Sequence, residues 1–157
     1  MTTVSLASID ATDRRLLALL QEDSARTNEA LARAAHISPA TCLRRVRRLV
    51  ESGVIERQMA VVSPDALAGL TAILEVTLDV QSAEAQTAFE ALIDPDPVVQ
   101  QCYRVATGPN FVLVVYVLDM NAYHAFVHRT LTAANNVRNV RSFFSVKRVK
   151  FAPALPV

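Results

Sequence analysis

The stretch SPATCLRRVRRLVESG, residues 38–53, places arginines at 44, 45, 47 and 48, a spacing that gathers guanidinium groups along one side of a helix. Such forks bond phosphate oxygens and the O6/N7 edge of guanine, which is the chemistry of a DNA reader. At about 100° per residue, Cys42, Leu43, Val46, Leu49 and Val50 share one arc, and Thr41, Arg44, Arg45, Arg47 and Arg48 fill the other. Ser38 suits the N-cap, Pro39 the first helical position and Gly53 the stop. On this reading Ser38, Ala40, Thr41 and Arg44, near the helix N-terminus, face the major groove. Arg45 and Arg48 are assigned to phosphates, and Arg47 borders the packing arc. The competing account is a solvated face held by ion pairs. Against it, Glu51 is the only acid between Glu29 and Glu56, and a short capped helix comes just before.

Other reactive side chains are placed more sparsely. His124 and His128 have the i, i+4 spacing of a chelating pair on a helix, but no third ligand accompanies them, so surface or packing roles are preferred and no metal is expected. Cys42 and Cys102 lie in separate segments without metal-ligand spacing and read as reduced, half-buried thiols. No Ser/His/Asp order, paired carboxylates in a glycine-rich setting or GxxxxGK loop is found, so a small hydrolytic domain is the weaker alternative and no enzyme or cofactor is expected.

Two further helices are needed to position the basic one. Ala11–Glu22 repeats Leu16, Leu17 and Leu20, with an acidic first turn at Asp13. A second helix runs through Ala35, capped by Thr27 or Asn28. His36 and Ile37 then make a very short connection to Ser38, which gives the helix-turn-helix pattern. VIERQMAVVSP, from Val54, has the β-branched content of an extended stretch or small wing, and Pro64 with Gly69 marks a hinge. The division expected is a helix-turn-helix domain over 1–62, a linker over 63–70 and a second domain over 71–157.

That second domain alternates strands and helices. Thr71–Val80 alternates Leu74, Val76, Leu78 and Val80 with polar residues, and Ala83–Ile93 is a helix stopped by DPDP. Val98–Ala106 and Phe111–Leu118 flank a turn at Thr107-Gly108-Pro109-Asn110, a second helix covers Asn121–Leu131, and a last strand covers Val137–Phe151. The order βαββαβ predicts an α+β, ferredoxin-like antiparallel sheet with both helices on one face. The uncovered face is expected to carry Glu75, Thr77, Cys102 and Arg104 with one parity of FVLVVYV, and to meet another subunit. A cross-strand pair with Glu75 is the simpler role for Arg104, and an effector carboxylate the sharper one.

The chain of 157 residues is 52% hydrophobic and carries a net charge of +1, split as +2 over 1–62 (nine Lys+Arg, seven Asp+Glu) and −1 over the rest (seven against eight). Net charge therefore does not diagnose a nucleic-acid partner, and only the arginine clustering counts. MTTVSLASID lacks the pattern of a secretory signal, and no apolar run reaches membrane-spanning length, so a cytoplasmic protein without a membrane partner is expected.

Ile9-Asp10-x-x-Asp13, Ser38-Pro39-x-Thr41-Cys42-x-x-Arg45-Val46-x-x-Leu49, Gly53-x-Ile55 and Asp119-Met120, followed over nearly the whole chain, resemble the leucine- and asparagine-responsive (Lrp/AsnC) regulators. The resemblance implies a transcription factor that binds double-stranded DNA, dimerises through its βαββαβ domains and often forms octamers. It also implies an amino acid or related effector bound near subunit interfaces. Effector contacts carried over in this way are Arg104, Thr107, Gly108, Pro109, Asn110 and Phe111, with Ser142 and Ser145 on the last strand. Relatives commonly have Gly-Asp-x-Asp-Tyr where this chain has Thr107-Gly108-Pro109-Asn110-Phe111, so both acids are gone. A carboxylate receiving an ammonium is worth roughly 1.5–3 kcal/mol, so an altered effector preference, or none, is expected. An architectural DNA-binding protein without effector is the second reading.

Overall fold

The computed structural model describes residues 9–157, so the first eight residues of the segment read for a secretory signal lie outside the described residues. The chain forms two units: one comprises the chain up to Val61 together with Lys150–Val157, the other Val62–Val149.

In the first unit α1 spans Ala11–Glu22, α2 Asn28–Ala35 and α3 Pro39–Glu51. The Asp10 side chain caps α1 and Asp13 bonds back to the Asp10 amide, a reciprocal capping box. Thr27, rather than Asn28, caps α2. Asn28 is thereby free to donate from its amide to the Pro39 carbonyl at 2.9 Å, tying the start of α2 to the start of α3. His36 ends α2 in the left-handed region at φ 57°. Ser38 caps α3 through the Thr41 amide, and Gly53, at φ 73°, carries the chain out of it.

Leu16, Leu31, Ala32, Ala35 and Cys42 form the core of this unit, with Leu19, Leu20, Ile37 and Val46 packed against it. The packing side of α3 is narrower than the sequence suggests. Cys42 and Leu49 are buried, but Leu43 and Val50 are 52% and 48% exposed. Only two other helices are available to cover α3, and they cover a single ridge. The extended stretch after Gly53 finds no strand partner among the described residues and leads to a short 3-10 turn at Pro64–Ala66.

The second unit holds β1 (Leu70–Leu78), α4 (Ala83–Ile93), β2 (Val99–Arg104), β3 (Phe111–Val117), α5 (Met120–Thr130) and β4 (Val137–Phe144). Its sheet is antiparallel with order β2-β3-β1-β4. Ala72, Leu74, Val76 and Leu78 of β1 and Phe111, Leu113, Val115 and Val117 of β3 pack with Phe89, Ile93, Tyr123 and Phe126 of the helices. Alternation put these residues on one face because one side of the sheet is covered and the other is not.

Three expectations are corrected here. Cys102 and Arg104 face the helices: an irregularity between Val99 and Gln101 shifts parity, so Cys102 pairs with Leu113 and Arg104 with Phe111, both on the covered side. The last strand ends at Phe144 rather than Phe151, because β1 runs out there: Phe144 pairs with Ala72, and the Ser145 amide bonds the Thr71 carbonyl at 2.9 Å. The final residues join the helical unit instead of the βαββαβ domain, with Gln21 exchanging two hydrogen bonds with the Leu155 backbone, at 3.0 and 2.6 Å.

Candidate nucleic-acid interface and effector region

The four arginines of α3 separate into two pairs. Arg45 donates to Asp10 at 2.7 Å and to Asp13 at 2.9 Å, and Arg48 pairs with the other oxygen of Asp13. Asp13 is fully buried. The Arg45 and Asp10 charges stabilise each other. Asp10 is held below the ordinary carboxylate range, chiefly by the Asp13 amide and then by Arg45, while Arg45 is held above its usual value, first by Asp10. The acids that answer these arginines come from α1, more than thirty residues earlier in the chain, which is why counting acids near α3 missed them. Arg45 and Arg48, expected on phosphates, are both engaged by carboxylates in this structure.

Arg44 and Arg47 remain outward. Both are exposed, and among the described residues no acid lies within ion-pair distance of either. Ala40 and Ser38 are exposed at the helix start, whereas Thr41 is half-buried and its hydroxyl bonds Ser38 at 2.9 Å. Opposite the buried ridge, about 100° per residue places Ala40, Arg44 and Arg47 on one line, with Leu43 beside them. Leu43 is the member of this surface that sequence reasoning put on the wrong side. An apolar side chain here can touch a thymine methyl while the arginines reach guanine or phosphate. Arg47, placed at the border of the packing arc, stands fully on the outer face. Behind the face, Arg15 donates to the Ala35 carbonyl at 3.2 Å, closing the end of α2.

The residues carried over for an effector are dispersed and mostly engaged. Phe111 is fully buried and its ring lies 4.8 Å from Phe89, so it is a core residue rather than a ligand contact. Asn110 accepts from the Leu78 amide at 2.8 Å, and its own amide bonds the Val76 carbonyl, which fastens the loop to the end of β1. Thr107 and Gly108 are exposed, Pro109 is half-buried, and Gly108 takes φ 87°. Arg104 pairs with Glu90 of α4 at 2.7 Å, not with Glu75, which instead meets Arg141 at 3.1 Å. Ser142 shares a 2.5 Å hydrogen bond with the Tyr123 hydroxyl, and Ser145 is exposed beyond the strand. A surface groove of about 450 Å³ lies elsewhere, lined by Leu92, Pro95, Asp96, Pro97, Val98, Arg129 and Thr130.

The remaining candidates hold no ligand set. His124 and His128 are both exposed with ring centroids 6.4 Å apart, and among the described residues no group of three or more His, Cys, Asp or Glu is placed to hold a metal ion. Cys42 is buried and Cys102 exposed, rather than both half-buried; burial pushes the Cys42 thiol up, and partial desolvation with the Glu90 and Asp94 carboxylates pushes up that of Cys102. No helix among the described residues is long and apolar enough to cross a membrane.

A family model for the winged helix-turn-helix DNA-binding domain matches residues 9–56, and one for the Lrp/AsnC ligand binding domain matches residues 71–155. The chain belongs to the Lrp/AsnC family. A leucine-responsive regulatory protein of Rhizobium meliloti is 37% identical over 145 residues, covering 92% of this chain and 93% of its own. The DNA-binding transcriptional activator DecR of Escherichia coli is 30% identical, covering 95% and 99%. Among solved structures, a transcriptional regulator of Neisseria meningitidis in complex with L-Met is similar at TM-score 0.82 and 31% identity, covering 95% of this chain and 97% of that one. This Lrp/AsnC protein is accordingly a transcriptional regulator with a DNA-binding domain and an effector-binding domain.

Proposed function

We propose that this Lrp/AsnC regulator reads double-stranded DNA through the outer face of α3, with Ser38, Ala40, Leu43 and Arg44 at base edges and Arg47 beside them. The observation that carries the reading is the pair of exposed arginines, without an ion-pair partner among the described residues, on a helix whose start is tied to α2 by Asn28 and capped by Ser38. Its work is regulation in the cytoplasm, not catalysis.

Two copies act together. On the uncovered sheet face Ile73 lies between Val114 and Phe143 in register, and Val112 and Tyr103 extend the apolar strip along β3 and β2. A second copy of this chain covering that strip would join two α3 helices in one particle, so modest contacts per copy multiply. Assembly beyond the dimer, to an octamer, is the form that the family resemblance suggests.

The signal is a small molecule taken differently from that of acid-bearing relatives. Gly108 offers no side chain, and Asn110 spends its carbonyl oxygen on the Leu78 amide. An amino acid ammonium would thus lack the carboxylates expected in this loop, a loss of about one to two decades in affinity. Footprinting on genomic promoter fragments, with and without each of the twenty amino acids, tests both parts. Phased, discrete protections support regulation at chosen sites, whereas sequence-independent coverage supports the architectural reading. In parallel, calorimetry with the same ligands should show no low-micromolar binding of a common aliphatic amino acid, and such binding would contradict the effector part alone.

A further inference from the structure

Asp13 does more than cap α1. Its fully buried carboxylate divides its two oxygens between Arg45, at 2.9 Å, and Arg48, while the exposed Asp10 adds a second bond to Arg45 at 2.7 Å. Two cations and two anions cancel, so the electrostatic footprint of α3 is Arg44 and Arg47 alone. Affinity for arbitrary DNA is set by the number of phosphates that cations neutralise, with the logarithm of the binding constant falling by about 0.9 per contact per tenfold rise in salt. Base-edge contacts carry the sequence preference and are not paid in this currency. Removing two cations per helix from the phosphate tally lowers non-specific binding while leaving the reading face intact.

We infer that Asp13, assisted by Asp10, is a positioning residue that sets specificity by withholding Arg45 and Arg48 from the DNA backbone. The inference rests on the DNA-binding reading of α3 proposed above. Each arginine so held is a phosphate contact forgone, worth about a threefold change in affinity between 50 and 200 mM salt per copy of the helix. A purely structural role for Asp13 predicts something else: weaker binding on its removal, with an unchanged salt slope.

The test is the salt dependence of binding to a random-sequence duplex, followed by fluorescence anisotropy with the full chain and four variants. R48A is expected to leave the slope of the wild type unchanged, whereas R44A lowers it or relaxes sequence preference. D10N and D13N are expected to steepen the slope by roughly one and up to two contacts per helix and to tighten random DNA severalfold at low salt. Should D13N fail to fold, D10N and R48A still decide, because Asp10 is exposed and Arg48 lies half outside the protein. A wild-type slope that drops by about one per copy in R48A overturns the inference, as does an unchanged slope in D10N. A wild type that binds no duplex at any salt overturns the DNA-binding reading itself.

Discussion

Replacing Asn110 by alanine strips the acceptor from the Leu78 amide, an N–H at the end of a core strand. Leaving it unsatisfied should cost about 1–3 kcal/mol, read as a lowered midpoint in urea unfolding. Asn110→Asp keeps the acceptor and restores a family-like charge, so it should fold normally and bind amino acids more tightly than the parent by calorimetry. Asp10 gives a pH dependence with a definite sign. Its value is depressed in the folded state, so its stabilisation is present above the ordinary carboxylate value of 3.8 and is lost as pH falls through the lowered one. Asp10→Asn should lower stability at neutral pH and leave it nearly unchanged once pH falls below the lowered value, so that the acid limb of unfolding flattens. Arg44→Ala should cost about 1–3 kcal/mol on preferred DNA and much less on random DNA. The arginine types and spacing were legible from the chain; which of them are free was not. That depended on two aspartates of α1 which only the packing of α1 against α3 brings within 3 Å of Arg45.

At the scale of elements, local signals that travel within a few residues were read well. Ser38, Pro39 and Gly53 mark the ends of α3 because capping and positive φ are local requirements, and the α1 and α4 spans follow from periodicity closed by caps. Ser38→Ala should lower stability by about 0.5–2 kcal/mol and weaken DNA binding through fraying of the reading helix, checked by thermal unfolding alongside binding. Register was not legible. A single extra residue between Val99 and Gln101 turned Cys102 and Arg104 onto the covered face, and no composition signal distinguishes that strand from a regular one. The end of β4 was missed for a related reason: VKRVKF keeps a strand-like pattern, but its partner strand has already ended.

For the whole molecule, the order βαββαβ came from the alternation of periods, whereas the Pro64 to Gly69 stretch expected as a linker belongs to the βαββαβ unit. Gly69 is needed there because a Cβ would collide with the Tyr116 ring, whose hydroxyl bonds the Leu67 carbonyl at 2.6 Å. Gly69→Ala should therefore destabilise the βαββαβ unit by about 1–3 kcal/mol, seen in thermal unfolding of the full chain. The destination of the last residues was invisible in sequence, since the pairing of Gln21 with Leu155 spans most of the chain. Self-association through the strip around Ile73 should fail in Ile73→Lys, which light scattering would report as a smaller particle with native helix content. The central claim is that α3 reads DNA sequence through its outer face. Selection of duplexes from a random pool by the full chain addresses it most directly, with Arg44→Ala carried in parallel. Enrichment of a motif with two related half-sites, blurred in Arg44→Ala at one position per half-site, is the predicted result; a wild-type pool that emerges as random as it entered would contradict it.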